Sequence, residues 1–288
     1  MQVKKVLFIN TETLPYVPET DLSRMGKIVP EKVQSSGCEI RTFMPKWGII
    51  NERRGQLHEV IRLSGMNIII NGTDHPLIIK VASIPVSRVQ VYFIDNDDYF
   101  TRRAIERDAE GQLFDDNAER AVFYARGVLE TVKKLRWTPD VIHCQGWMAG
   151  IIPLYIRQAY NDEPCFSDAK IVTSLYSRNM DGIMGENVKD SIAYKDINRE
   201  TLAAYDDAFT MADMERLAVD YSDGIIEMTE GYNPEIIQYA KEKGKAVLAY
   251  PRRELRGEIP RVLRVTVRNR PSQKPGSSPH SLTMPPVA

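Results

Sequence analysis

Short apolar runs alternate with amphipathic stretches over residues 1 to 251, a pattern that favours βαβ units and a mostly parallel sheet covered by helices on both faces. The runs begin with Val3-Lys4-Lys5-Val6-Leu7-Phe8-Ile9 and continue with Ile40 to Met44, Val89 to Ile94, Val141 to Cys144, Ile171 to Leu175 and Gly224 to Glu227. Between Met66 and Ile84 two β-rich runs flank Asn71-Gly72-Thr73-Asp74. Asn-Gly supplies two residues that tolerate positive φ, so an antiparallel hairpin is expected inside the α/β pattern. The clearest helix follows Asp116-Asn117, where Ala121, Ala125, Val128, Leu129, Val132 and Leu135 recur at spacings of three and four. Asp116 or Asn117 is suited to cap its start, and Pro139 lies beyond its end. The expected fold class is α/β, a doubly wound sheet with an inserted β-hairpin.

Composition narrows the functional classes. With 43% apolar and 27% charged residues, the 288-residue chain can bury a substantial core. Thirty-eight basic side chains against 39 acidic ones leave a net charge of −1, so no global basic field draws nucleic acid or an anionic membrane, and neither is expected as a partner. The charge is unevenly placed. Residues 252 to 288 hold eight Arg or Lys and two Glu, a local excess of +6 that leaves −7 on the rest. That segment also carries Pro271-Ser272-Gln273-Lys274-Pro275-Gly276-Ser277-Ser278-Pro279, which offers nothing to pack. The expected division is a folded domain over 1–251 and a basic, Pro/Ser-rich disordered tail over 252–288. Cys38, Cys144 and Cys165 lie far apart, and His58, His75, His143 and His280 show no zinc-ligand spacing. The opening Met1-Gln2-Val3-Lys4-Lys5 lacks the apolar stretch of a signal peptide, so the chain reads as cytoplasmic with reduced thiols. No pattern calls for a metal or a cofactor.

In a doubly wound sheet ligands bind beyond the carboxyl ends of the strands, which directs attention to the loops after Ile9, Ile94, Cys144 and Leu175. The first loop, Asn10 to Asp21, has no glycine to admit a pyrophosphate, and no Gly-x-x-x-x-Gly-Lys-Ser/Thr run occurs. Dinucleotide-binding and P-loop chemistries are thereby disfavoured. Asp97 and Asp98 form an acidic pair without metal-ligand spacing, and Cys144 in its apolar run reads as an inert core thiol.

Five stretches, in matching order and spacing, resemble one family. They are Val6-Leu7-Phe8-Ile9 followed by Glu12 and Pro15-Tyr16; Gly37 to Pro45; Val91 to Phe100; Asp116-Asn117-Ala118-Glu119-Arg120 with its helix; and Pro139-Asp140-Val141-Ile142-His143-Cys144. Over about residues 2 to 251 the chain resembles the N-terminal domain of bacterial glycogen (starch) synthases, retaining glucosyltransferases of the GT-B architecture. That resemblance implies a Rossmann-like domain forming one half of a GT-B fold, with an α-1,4-glucan or maltooligosaccharide as ligand. It points to Glu12, Tyr16, Asp116, Asn117, Arg120, His143, Gln145 and Trp147 as substrate-binding residues, with Trp147 and Tyr16 as platforms for a sugar ring.

The departures fall where the sugar nucleotide would be handled. The family's Lys-Thr-Gly-Gly after the first strand is here Pro18-Glu19-Thr20-Asp21, which removes a cation and adds two acids. Its "HCHDWH" stretch is His143-Cys144-Gln145-Gly146-Trp147-Met148, and its "TIHN" is Thr173-Ser174-Leu175-Tyr176. The resemblance runs to Ser222-Asp223-Gly224 and a helix near Pro234 to Lys243, where the family's first domain ends. The expectation is a glucan-synthase-like protein without catalytic residues of its own, inactive alone and either glucan-binding or regulatory. The alternative is the enzyme half of an ADP-glucose-dependent glucosyltransferase, completed by a partner chain that supplies the C-terminal GT-B domain. A blander class, an interaction module with no sugar ligand, also fits the composition. Deleting residues 255–288 is expected to leave the melting temperature unchanged; a fall of more than about 4 °C shows that the tail packs on the domain.

Overall fold

The computed structural model describes residues 3–177 and 182–250, so the segment expected to be a disordered tail lies outside the described residues. Ten strands form the sheet: β1 (Lys5–Asn10), β2 (Glu39–Pro45), β3 (His58–Glu59), β4 (Met66–Ile70), β5 (Thr73–Ser83), β6 (Gln90–Asp95), β7 (Val141–Gln145), β8 (Lys170–Leu175), β9 (Gly224–Glu227) and β10 (Ala246–Leu248). The helices are α1 (Asp21–Ser35), α2 (Glu52–Gly55), α3 (Asp97–Phe100), α4 (Asn117–Lys134), α5 (Ile152–Gln158), α6 (Val188–Ile192), α7 (Met211–Tyr221) and α8 (Pro234–Glu242), with a 3-10 turn at Trp147–Ala149. Strand order is β10-β9-β8-β7-β1-β2-β6-β5-β3, with β4 paired to β5. Every pairing from β6 through β10 is parallel, and the β5 pairings are antiparallel.

The apolar runs of the sequence are continuous because both faces of the sheet are covered. Along β1, Leu7 and Ile9 enter the large core that packs against α4 and α5, while Val6 and Phe8 enter a second cluster with Leu22, Met25, Val29 and Val33 of α1. Successive side chains of a strand point to opposite faces, so an apolar residue at every position is what a doubly covered strand requires. The hairpin follows the Asn-Gly signal: Ile70 pairs with Thr73, and Asn71 and Gly72 take φ of 49° and 78°. Asn71 also reaches beyond its turn, its Nδ2 donating to Glu119 Oε1 at 2.9 Å and to Ser191 Oγ at 3.0 Å.

The start of α4 departs from expectation. Neither Asp116 nor Asn117 caps it, because Asp116 sits at φ −95°, ψ 12° rather than in the extended conformation that aims a cap at the helix. The Asp116 carboxylate pairs with Arg102 instead, and Asn117 donates from Nδ2 to the Glu106 carbonyl at 2.9 Å.

Strand order reverses between β1 and β7, so the crevice of this sheet opens at their carboxyl ends. Helix α1 is held against that point by three residues acting together. Pro30, inside α1, has no N–H to return to the Gly26 carbonyl four residues earlier. Asn10, the last residue of β1, donates from Nδ2 to that carbonyl at 3.1 Å. Gly26 permits the approach, since a Cβ there would lie 2.2 Å from the Glu12 carbonyl oxygen. A Thr20–Ser23 capping box then closes the first turn. Gly26→Ala gains about 0.5–1 kcal/mol of helix propensity but forces backbone apart, and overpacking of this kind costs about 1–3 kcal/mol. Urea unfolding should therefore show a net loss of stability; an unchanged or higher midpoint means that the loop after β1 yields.

Candidate functional site

A cavity of about 360 Å³ lies beyond the carboxyl ends of β7 and β8. Its walls come from the start of α1 (Thr20, Asp21, Leu22), the turn after β7 (Gly146, Trp147), the end of β8 (Thr173 to Ser177), α7 (Met211, Met214, Glu215, Ala218) and Thr229 after β9. Gly146 makes the turn possible: its φ is +88°, and a Cβ would fall 2.5 Å from Thr11 Oγ1. The lining has hydroxyls, two carboxylates, an indole and two thioethers, and among the described residues it includes no Lys, Arg or His.

The start of α1 forms the acidic wall. Arg24 spends its guanidinium on Glu19, at 2.9 Å, and Asp21, at 2.8 Å, on its own turn of helix. Thr20 Oγ1 accepts from the Ser23 N–H at 2.9 Å. Of the features that make a helix N-terminus attractive to phosphate, the Ser23 N–H is therefore engaged, and Asp21 offsets the dipole.

The eight residues singled out from the sequence fall into three places. Trp147 lines the cavity, 2% exposed, and its Nε1 has no hydrogen-bond partner among the described residues. Glu12, His143 and Gln145 lie behind the wall and hold the residues that form it. Glu12 Oε2 accepts from Thr20 Oγ1 at 2.8 Å, His143 Nε2 shares a 2.7 Å hydrogen bond with Ser174 Oγ, and Gln145 Nε2 donates to the Leu22 carbonyl at 3.2 Å. Tyr16 belongs to a second cavity of about 420 Å³ with Pro15, Ile50, Asn51, Arg54 and Pro85. Its ring packs edge-on against Phe93 at 4.9 Å, and burial pushes its hydroxyl up to about 12.

Asp116, Asn117 and Arg120 stand apart, at the start of α4. Arg120 is fully buried, donating to the carbonyls of Tyr99 at 3.0 Å and Ile105 at 2.6 Å and to Asn117 Oδ1 at 2.9 Å. Its guanidinium lies 5.1 Å from the Trp47 ring, and burial lowers its pKa to about 10. This group fastens the 99–105 segment to α4. Asp98, of the acidic pair, hydrogen-bonds His75 Nδ1 at 2.8 Å, and Tyr99 Oη bridges His75 Nε2 and Glu119. No cluster of three or more His, Cys, Asp or Glu able to hold a metal occurs among the described residues.

Glu215 escaped the sequence reading. It is 4% exposed, and its carboxylate accepts from Tyr232 Oη at 2.7 Å and Asn233 Nδ2 at 3.0 Å. Desolvation holds its pKa above the usual carboxylate range. The signal was its helical register: Met211 four residues before and Ala218 three residues after put Glu215 on the face that α7 turns inward.

The model of the starch synthase catalytic domain matches residues 5–249. The chain belongs to that family. The glycogen synthase of Chlorobium limicola is 32% identical over 234 residues, covering 81% of this chain and 47% of the relative. That of Chlorobium phaeovibrioides is 31% identical over 256 residues, covering 88% and 50%. The chain thus spans about half the length of these curated relatives. Among solved structures, the catalytic domain of starch synthase IV from Arabidopsis thaliana, bound to ADP and acarbose, superposes with a TM-score of 0.67 over 87% of this chain and 52% of that one. At 14% identity this likeness concerns the fold, and it agrees with the expected Rossmann-like half of a GT-B architecture.

His143 carries a pH dependence. Burial lowers its pKa from 6.5 to about 4, so the fold binds its neutral form. The unfolded chain takes up the proton first, and stability present above pH 6.5 is lost as pH falls toward 4, at about 1.4 kcal/mol per unit. Between pH 6.5 and 5 the parent should lose about 2 kcal/mol more than His143→Gln in urea unfolding. Parallel losses in the two proteins mean that His143 is not desolvated.

Proposed function

We propose that this chain is a glucan-binding unit of the glycogen and starch synthase kind, which takes the end of an α-1,4-glucan or maltooligosaccharide into the cavity beyond β7 and β8 and transfers no glucose by itself. The observation that carries this reading is the make-up of the walls: hydroxyls, carboxylates and an indole, without a cation among the described residues. Sugars are recognised by polar groups set against apolar surface, whereas a nucleoside diphosphate leaving group needs positive charge aimed at its oxygens. Pro18 stands where the family carries lysine, and Glu19 and Asp21 hold Arg24 to themselves. Loss of one such electrostatic contact typically costs about 100- to 1000-fold in rate. In this reading residues 1–251 are the ligand-binding domain, residues 252–288 are a solvated basic extension, and the chain works in the cytoplasm. No helix among the described residues is long and apolar enough to cross a membrane.

A second reading makes the chain one half of an ADP-glucose-dependent glucosyltransferase, completed by another polypeptide. It is favoured by the family model, that of a starch synthase catalytic domain, which matches residues 5–249.

Two measurements test these readings. Maltohexaose should shift the amides of Thr20–Leu22, Gly146–Trp147 and Thr173–Ser174 with an affinity near millimolar, about −4 kcal/mol, because a sugar trades hydrogen bonds with water for bonds with the protein at little net gain. Shifts elsewhere, or none at high millimolar sugar, overturn the site. Purified protein should incorporate no labelled glucose from ADP-glucose into glycogen. Incorporation by the chain alone overturns the non-catalytic reading, and incorporation only after adding a separately expressed second domain from a related synthase establishes the enzyme half.

A further inference from the structure

The cavity contains two polar groups whose presence the fold does not explain. Glu215 is a buried carboxylate whose partners are both neutral, Tyr232 Oη and Asn233 Nδ2, and no cation pairs with it among the described residues. A carboxylate taken out of water without a cation is expensive, and the neighbouring Met211, Met214 and Ala218 would pack as well around leucine. Two donors leave part of its acceptor capacity unused, since an ionised carboxylate has about four lone-pair sites. Trp147 lines the same cavity, and its Nε1 is a buried donor with no acceptor among the described residues. Buried donors of this kind cost about 1–3 kcal/mol when left unpaired. One unused acceptor and one unused donor in a single cavity match a group that both gives and takes a hydrogen bond, which is what a sugar hydroxyl does.

We propose that Glu215 is the specificity-determining residue of the cavity: with Trp147 it selects a neutral, unphosphorylated glucosyl unit and excludes sugar phosphates and nucleotide sugars. This rests on the glucan-binding reading above and adds to it the residue that enforces the choice. Selection has an attractive and a repulsive part. Hydroxyls of the glucosyl ring donate to the Glu215 carboxylate and accept from the indole N–H, and an analogue that cannot supply these bonds leaves both groups unpaired. A phosphate brings a second anion into a space already holding the Glu215 charge, walled by Asp21 on the α1 side, and like charges in such a setting are strongly disfavoured. Because Tyr232 and Asn233 hold the carboxylate from the segment between β9 and α8, it is fixed in place before any ligand arrives.

The test compares maltotriose with glucose 1-phosphate as probes, titrated into the full chain and followed by amide shifts. The parent should bind maltotriose and show no glucose 1-phosphate binding at tenfold higher concentration. Glu215→Gln, nearly the same shape without the charge, should weaken maltotriose at least about tenfold and admit glucose 1-phosphate. Glucose 1-phosphate binding to the parent as tightly as maltotriose overturns the proposal without recourse to any variant. A Glu215→Gln protein that melts earlier yet keeps the parent's affinity and selectivity also overturns it, since Glu215 then only ties Tyr232 and Asn233 to α7. If the parent binds maltotriose at this cavity and the variant is unchanged, the specificity role fails while the glucan-binding reading survives. If the parent binds no maltotriose, both fail.

Discussion

The meeting of α1 with the end of β1 is the constraint on which the site depends. A proline that cannot donate, a glycine without a side chain and an asparagine at a strand end combine so that a carbonyl released inside a helix is taken up by the sheet. None of the three would achieve this alone. Without Pro30 the Gly26 carbonyl would be satisfied within α1, and with a Cβ at 26 the helix would stand away from Glu12. What the joint delivers is the position of Thr20, Asp21 and Leu22 at the crevice where strand order reverses, and Glu12 and Gln145 then hold two of those residues from behind.

The electrostatics of that crevice follow from the same short segment. A helix start is ordinarily an invitation to anions, through free N–H groups and the positive end of the dipole. Here the capping box engages the Ser23 N–H, Asp21 offsets the dipole, and Arg24 is paired within its own turn of helix. The buried histidine points the same way. Held neutral by desolvation, His143 adds no positive charge near neutral pH and acts through Ser174. Family membership fixes the scaffold, and the side chains at the ends of β1, β7 and β8 decide what the scaffold accepts.

Six of the seven parallel strands were legible in the sequence, within one or two residues at their ends, because burial on both faces writes them as unbroken apolar runs; the short, partly exposed edge strand β10 was not. The hairpin was legible because Asn-Gly has few other uses. Side-chain roles were harder to read. Asp116 looked like a cap and is an ion-pair partner of Arg102, a matter of one backbone angle. Arg120 sits in a motif shared with the family, yet its Nε and Nη1 serve backbone carbonyls and a neighbouring amide inside the domain. Glu12, His143 and Gln145 resembled contact residues because they fall in family-like stretches at or near the carboxyl ends of β1 and β7, and one layer of Thr20, Ser174 and Leu22 separates them from the cavity. Linear sequence does not record that layer. Glu215 was visible only as a charged residue on the inward face of a helix, a signal that needs the partner elements before it acquires meaning.

The tie from the hairpin tip has a chemical consequence. Asn71 serves at once as a turn residue and as a donor that links β4 and β5 to α4 and α6 through Glu119 and Ser191. Aspartate would hold the same turn, since Asp-Gly shares its conformational preference. It would set a carboxylate against Glu119 in place of an amide donor, turning attraction into repulsion. Loss of this one amide, in a residue type prone to thermal damage, would remove the donor and loosen the link between the hairpin and the helical layer. Chemical damage at this turn would thus reach the tertiary structure through a single nitrogen atom.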